Sequence, residues 1–185
     1  MTISYYTAST INGFLATPDD SLDWLFAVTG EGPDPADFDA GVAVYVMGST
    51  TYEWVLNHED LLAQPEKWQA YFADRPMFVF TTRSLTAPEG ADVRFVSGPV
   101  ADALPAIQAA AGGGTIWVEG GGDLVGQFLD IDALDEIVVN VAPTFLAAGR
   151  PLLPRDVYPD RLTLTKVEHI GQFAVLHYAV TRPAP

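Results

Sequence analysis

Eight short runs of apolar, β-branched or aromatic residues punctuate the chain. They are ISYYTA (3–8), VAVYVM (42–47), MFVFTT (77–82), VRFV (93–96), TIWVE (115–119), LDEIVVNVA (134–142), LTLTKVEHI (162–170) and FAVLHYAV (173–180). Runs of this length, bounded by Gly, Pro and Asp, predict strands. Between them, STTYEWVLNH (49–58), PEKWQAYFA (65–73), VADALPAIQAAA (100–111) and GDLVGQFLD (122–130) have helical character. Strand and helix alternate through the first 140 residues, which predicts parallel strands joined by helical crossovers. Only Gly171 and Gln172 separate the last two strands, the spacing of an antiparallel hairpin at one edge. The expected fold is α/β, with a central mixed, mostly parallel sheet of about eight strands and flanking helices. No linker-like segment or internal repeat divides the 185 residues, so a single domain over 1–185 is expected.

Candidate chemistry collects where predicted strands run into helices. In TIWVEGGGDLVGQFL the strand ends in Gly120, Gly121 and Gly122 and passes directly into a helix beginning at Asp123 and Leu124. Glycines leave no Cβ between backbone amides and a ligand, and a helix start offers free N–H groups with a partial positive charge. A second strand ends at Gly48, followed by Ser49, Thr50 and Thr51, whose hydroxyls suit helix capping or phosphate binding. A third ends in Thr81, Thr82 and Arg83. Each of these alone reads equally well as an ordinary tight turn. Together they point to one shared dinucleotide cleft at the carboxyl ends of parallel strands.

Composition narrows the chemistry. With 24 acidic against 9 basic residues the net charge is −15, so nucleic acid and anionic membranes are not expected partners, and any anionic ligand must be met locally. The absence of cysteine excludes disulfides, thiolate metal sites and a cysteine nucleophile, and suits a cytoplasmic location. His58, His169 and His177 lie in separate segments without metal-ligand spacing, so no metal site is expected. Neither a signal peptide nor a membrane span is legible. Gly120, Gly122 and Gly126 imitate a Rossmann fingerprint, but the spacing is one residue too long and the motif lies late in the chain.

Four motifs in order resemble the dihydrofolate reductase superfamily, in particular its branch related to the reductase domain of the bacterial bifunctional riboflavin deaminase-reductase. They are ISYYTASTINGFLA, VMGSTTYEW, VEGGGDLVGQFL and DEIVVNVAPTFLAAGRPLLP. The resemblance covers nearly the whole chain. It implies a dihydrofolate-reductase-like fold and a reductase that moves hydride from NADPH, with NADH as the alternative, to a small-molecule substrate. It further implies that Gly120 to Gly122 and the helix start hold the pyrophosphate with help from Thr51. Ala8, Leu15 and Ala16 would then face the nicotinamide, and two copies of the chain would form a homodimer.

Some positions depart from the family pattern. Ser49 stands where the family often has arginine and Asp123 follows the glycines, which leaves Arg83 as the candidate for a 2′-phosphate. Hydride transfer also needs a proton, and two acids are candidates for supplying it: Asp23 in SLDWL, with Asp20 competing, and Glu119 directly before the glycines. The segment YEWVLNHEDLLAQ contains no arginine for a folate tail, so a smaller heterocycle or carbonyl compound is the expected substrate. Tyr6, Trp24, Tyr52 and Trp54 are candidates for lining a flat pocket. A protein that kept the fold and binds nucleotide without catalysis is the alternative reading.

Overall fold

A computed structural model describes residues 1–182 of the protein. In chain order the elements begin with β1 (Ile3–Thr10), β2 (Phe14–Ala16), α1 (Asp23–Phe26), α2 (Ala36–Asp39), β3 (Val42–Gly48), α3 (Ser49–His58) and α4 (Lys67–Phe72). There follow β4 (Met77–Phe80), β5 (Val93–Val96), α5 (Val100–Ala111), β6 (Thr115–Gly120) and α6 (Gly122–Asp130). The last four are β7 (Glu136–Ala142), β8 (Arg150–Pro151), β9 (Leu162–Ile170) and β10 (Phe173–Val180).

The eight predicted strands form one sheet in the order β5-β4-β3-β6-β1-β7-β10-β9. Every pairing from β5 across to β7 is parallel, whereas β10 runs antiparallel to both β7 and β9. This is the α/β, mostly parallel architecture with a terminal antiparallel hairpin that the sequence pattern predicts. Gly171 opens the hairpin turn at φ 56°, a backbone region that favours glycine.

Parallel strands buried on both faces need apolar residues at successive positions, and β3 meets that need. Val44 and Val46 face one side, where α5 and α6 cover them with Ile107, Val125 and Phe128. Tyr45 and Met47 face the other, beneath Tyr52 and Leu56 of α3 and Trp68 and Phe72 of α4. A third, smaller cluster joins Trp24 of α1 to Ala142 and Phe173, with Ala8 and Leu25 packed against it.

Several elements differ from the pattern reading. The crossover from β4 to β5 contains no helix, and β4 stops at Phe80, so Thr81 and Thr82 lie in the loop. Four short elements, α1, α2, β2 and β8, have no counterpart in the hydrophobic pattern. At two to four residues they carry too little periodicity to register, and tertiary contacts hold them. β2 and β8 pair with each other as a separate two-stranded ribbon.

That ribbon presses on the start of α6. A Cβ placed on Gly122 would lie 2.5 Å from the Pro151 carbonyl oxygen and 2.6 Å from that of Leu152. The Leu152 carbonyl also accepts the Tyr5 hydroxyl at 3.0 Å, and the Leu152 N–H donates to Gly13 at 2.9 Å, so the loop has little room to retreat. Gly122→Ala is therefore expected to lower stability by about 1–3 kcal/mol despite alanine's better helix propensity. The midpoint of denaturant unfolding, read at unchanged m-value, measures the loss.

Candidate active site

Parallel strands bring their carboxyl ends to one edge of the sheet, and there β1, β3 and β6 border a cleft of ≈ 580 Å³. Thr7 and Ala8 contribute from β1, and Leu15 and Ala16 from β2. Leu22 and Leu25 descend from α1 and its leading loop, while Gly48, Ser49, Thr50, Thr51 and Trp54 come from the β3–α3 junction. Glu119, Gly121, Gly122, Asp123 and Leu124 come from the β6–α6 junction, and Arg150 and Pro151 from β8. The two glycine junctions abut: a Cβ on Gly48 would lie 3.7 Å from both the Gly120 oxygen and the Gly121 nitrogen. Gly120 adopts φ 132°, and the peptide between Gly120 and Gly121 is cis.

Both helices at these junctions begin without a side-chain cap. Gly48 precedes α3 and Gly121 precedes α6, and neither helix start receives a side-chain hydrogen bond. The first-turn amides thus keep unused donors beside the cleft, where the helix dipoles add partial positive charge. Nothing lies within 4 Å of a Cβ built on Gly121, so the turn is open on the side a ligand needs. These features fit the phosphate groups of a nicotinamide dinucleotide without any cation.

Glu119 is the other distinctive group. It is half-buried at the end of β6, lines the cleft, and receives no hydrogen bond from another described residue. Burial, and secondarily the charge of Asp39, pushes its carboxyl up to about 8. Asp39 is itself fixed: it accepts the Tyr45 hydroxyl and pairs with Arg75 at 3.0 Å. Arg75 also donates to the Asp39 backbone carbonyl at 2.9 Å and stacks over the Tyr45 ring at 4.8 Å. Burial, then the bond to Asp39, holds the Tyr45 phenol well above its ordinary value.

Basic residues are bound to partners of their own. Arg83 pairs with Glu53, Arg94 with Asp92, Arg161 with Asp132, Arg182 with Asp135 and Lys166 with Glu168. Arg155 bridges Asp123 and Asp130, in the space that Gly126 leaves beside α6, and Lys67 donates to the Glu59 carbonyl. Arg150 is the one cation that lines the cleft among the described residues, and it is joined in a fork to Asp20.

The fold brings together fourteen of the residues singled out from sequence: Ala8, Leu15, Ala16, Asp20, Gly48, Ser49, Thr50, Thr51, Trp54, Glu119, Gly121, Gly122, Asp123 and Leu124 all line the cleft. Gly120 is buried just behind it. The third strand end contributes Phe80 in place of Thr81, Thr82 and Arg83. Thr81 accepts the Arg83 N–H at 2.9 Å, and the Arg83 guanidinium turns to Glu53, which closes that loop on itself. Asp23 is exposed in the first turn of α1 and does not reach the cleft, whereas Asp20 lines it. Of the four aromatic candidates only Trp54 is a lining residue. Tyr6 stacks on Phe38, Trp24 sits in the small core and Tyr52 bonds the Thr86 carbonyl. Arg150, Leu22, Leu25 and Gln127 also line the cleft; Gln127 and Arg150 lie within motifs quoted above, but neither is singled out there, because nothing local shows which side chains of those segments turn toward the cleft.

The fold is α/β and of the dihydrofolate reductase type. The chain matches the family model of the RibD C-terminal domain over residues 2–176 and belongs to that reductase-like family. It is 33% identical over 174 residues to the uncharacterized protein YwjB of Bacillus subtilis (strain 168), a match covering 94% of each chain. A crystal structure from Shewanella sp. PV-4, whose name proposes a role in riboflavin biosynthesis, superposes with a TM-score of 0.75 at 24% identity, covering 98% of this chain and 100% of that one. The Thermotoga maritima diaminohydroxyphosphoribosylaminopyrimidine deaminase/5-amino-6-(5-phosphoribosylamino)uracil reductase matches with a TM-score of 0.65 at 15% identity, over 97% of this chain and 56% of its own. Enterococcus faecalis dihydrofolate reductase, crystallised with NADP(H), matches at 0.61 with 13% identity, over 98% and 97% of the two chains.

Glu119 makes a pH-dependent contribution to stability. Its carboxyl titrates near 4.5 when unperturbed and near 8 in the fold, so the folded protein holds an extra proton between those values. Stability from this group is intact below the lower value and is lost as pH rises through the upper one. Glu119→Gln, which stays neutral, should match the wild type near the lower value and exceed it increasingly up to the higher one. Denaturant unfolding of both proteins across that range measures the difference; a constant difference rules the assignment out.

Proposed function

We propose that the protein is an NADPH-dependent reductase that delivers hydride to a small heterocyclic or carbonyl compound. One observation carries this reading: two uncapped helix starts and an unpartnered carboxyl of raised pKa converge on a single cleft. When bound, the nicotinamide nucleotide supplies the hydride. The amides beginning α3 and α6, with the hydroxyls of Ser49, Thr50 and Thr51, hold its phosphates. Ala8, Leu15 and Ala16 form the apolar wall for the nicotinamide and keep water from it. Arg83, in the loop after β4, would exchange Glu53 for the 2′-phosphate.

Glu119 is the proton donor in this scheme. It is neutral at pH 7, because its carboxyl titrates near 8, and from the cleft wall it gives its proton to a substrate nitrogen or oxygen beside the reduced carbon. Solvent returns the proton afterwards. Asp23, exposed on α1, has no part in this scheme. Among the described residues no helix is long and apolar enough to cross a membrane, and the reading includes a cytoplasmic enzyme. It also includes a homodimer, formed along the edge strand β9, where Leu164 and Val167 stand exposed.

Titrating the wild type and Arg83→Ala with NADPH and NADH, then screening pterin, pyrimidine and carbonyl compounds for cofactor oxidation, tests the enzyme. Wild-type turnover is expected, along with a drop of about tenfold or more in the NADPH-to-NADH affinity ratio for the variant. Nucleotide binding without turnover on any compound would establish a binding protein on the same fold instead. An unchanged ratio removes Arg83 from the cofactor site. For the dimer, sedimentation at micromolar concentration should give twice the chain mass, and Leu164→Glu should give the monomer.

A further inference from the structure

An acid stands at the start of the helix proposed to hold phosphate. Asp123 is the second residue of α6, and its carboxylate belongs to the same turn as the amides of Gly122, Asp123 and Leu124. Those three precede the first backbone bond of the helix, which Val125 N–H makes to the Gly121 carbonyl at 3.2 Å. A carboxylate so placed is drawn to the uncovered amides and to the positive end of the helix dipole, and it would compete there with an incoming phosphate. Yet among the described residues no side-chain hydrogen bond caps the start of α6.

Both oxygens of Asp123 are engaged elsewhere. Arg155 donates through Nη1 to Oδ1 at 3.1 Å, and Gln127, one turn further along α6, donates through Nε2 to Oδ2 at 3.2 Å. Arg155 is itself anchored: its Nε donates to the two Asp130 oxygens at 3.1 and 3.0 Å, and its Nη1 to the Pro154 carbonyl at 2.8 Å. Gly126 admits the guanidinium, since a Cβ there would lie 2.7 Å from Cζ. The cation therefore lies along the flank of α6, tied to a carboxylate near each end of the helix, and outside the lining of the cleft. Its side chain is 26% exposed, against 52% for Arg83 and 54% for Arg150, so it leaves its partners for a ligand less readily than they do.

Resting on the reductase reading above, we infer that Arg155 is a positioning residue for the cofactor: with Gln127 it holds the Asp123 carboxylate off the start of α6, so that the pyrophosphate meets amides which the chain's own anion does not occupy. Arg155 acts through Asp123 and touches no phosphate. The pyrophosphate is common to NADPH and NADH, so the effect is the same for both.

Arg155→Gln, Asp123→Ala and the double variant, each titrated with NADPH and with NADH by nucleotide fluorescence, test this role. Arg155→Gln should weaken both nucleotides by the same factor, about threefold to tenfold, and leave their ratio unchanged. In the Asp123→Ala background the same substitution should weaken binding by less than about twofold, because the competing carboxylate is gone. Asp130→Ala should not restore affinity to Arg155→Gln, although Asp130 loses the same partner. An equal loss with and without Asp123 overturns the inference, since Arg155 would then act on the phosphates directly. Rescue by Asp130→Ala as complete as that by Asp123→Ala also overturns it and leaves Arg155 a structural role only. A changed NADPH-to-NADH ratio, or wild-type affinity in Arg155→Gln, overturns it while the reductase reading stands. Failure of the wild type to bind either nucleotide overturns that reading and this inference with it.

Discussion

The start of α6 packs directly against a carbonyl-lined turn of backbone, and much of the cleft depends on that contact. Gly122 can approach Pro151 and Leu152 only because it lacks a Cβ. The approach carries the β8 strand over the sheet edge, where Arg150 and Pro151 pair with Ala16 and Phe14 of β2. Tyr5, fully buried in β1, ties the same loop down through the Leu152 carbonyl. One backbone contact therefore sets the floor at β6, the wall at β2 and the position of the one cation that reaches the cleft among the described residues. Four residues further along α6, Gly126 makes room for the Arg155 side chain, which draws Asp123 into an ion pair on the helix exterior.

Electrostatics then divides the cleft into two regimes. An acidic chain has few cationic side chains free for an anionic cofactor, and nearly all its arginines are bound into surface pairs of modest individual worth. Helix starts solve the problem with groups that need no side chain at all. At the opposite extreme stands Glu119, whose charge is disfavoured by burial and by the neighbouring Asp39. Asp39 is held in place by Arg75 and Tyr45, which grip it from two sides. The Arg75–Asp39–Tyr45 group thus acts on the cleft without lining it, keeping a negative field where it makes the Glu119 proton harder to lose.

Much of this arrangement is legible in the chain itself. All eight strands of the main sheet and the helices α3, α4, α5 and α6 follow from local pattern, since a buried parallel strand needs an unbroken apolar run and an amphipathic helix needs its stripe. Both glycine junctions can be read as well, because a strand that ends in glycine and turns at once into a helix leaves its first amides uncovered. Arg83 and Asp23 show the limit. Each stands beside a recognisable motif, yet Glu53 holds the first and exposure on α1 carries the second away from the cleft. Neither the Glu53 pairing nor the outward turn of Asp23 is legible locally, because a side chain's direction is decided by what it finds across space.

By itself, then, the sequence determined the eight strands of the main sheet, the helices α3 to α6, the hairpin at Gly171 and the glycine-opened helix starts, all of them consequences of backbone sterics and hydrophobic periodicity over a few residues. Only the tertiary structure decided the strand order, the pairing of β2 with β8, the desolvation of Glu119 and the capture of Arg150 by Asp20. Residues 130 positions apart meet in that last pair. Such contacts arise from chain closure and burial, which no local pattern records, and they set the charge that a ligand meets in the cleft.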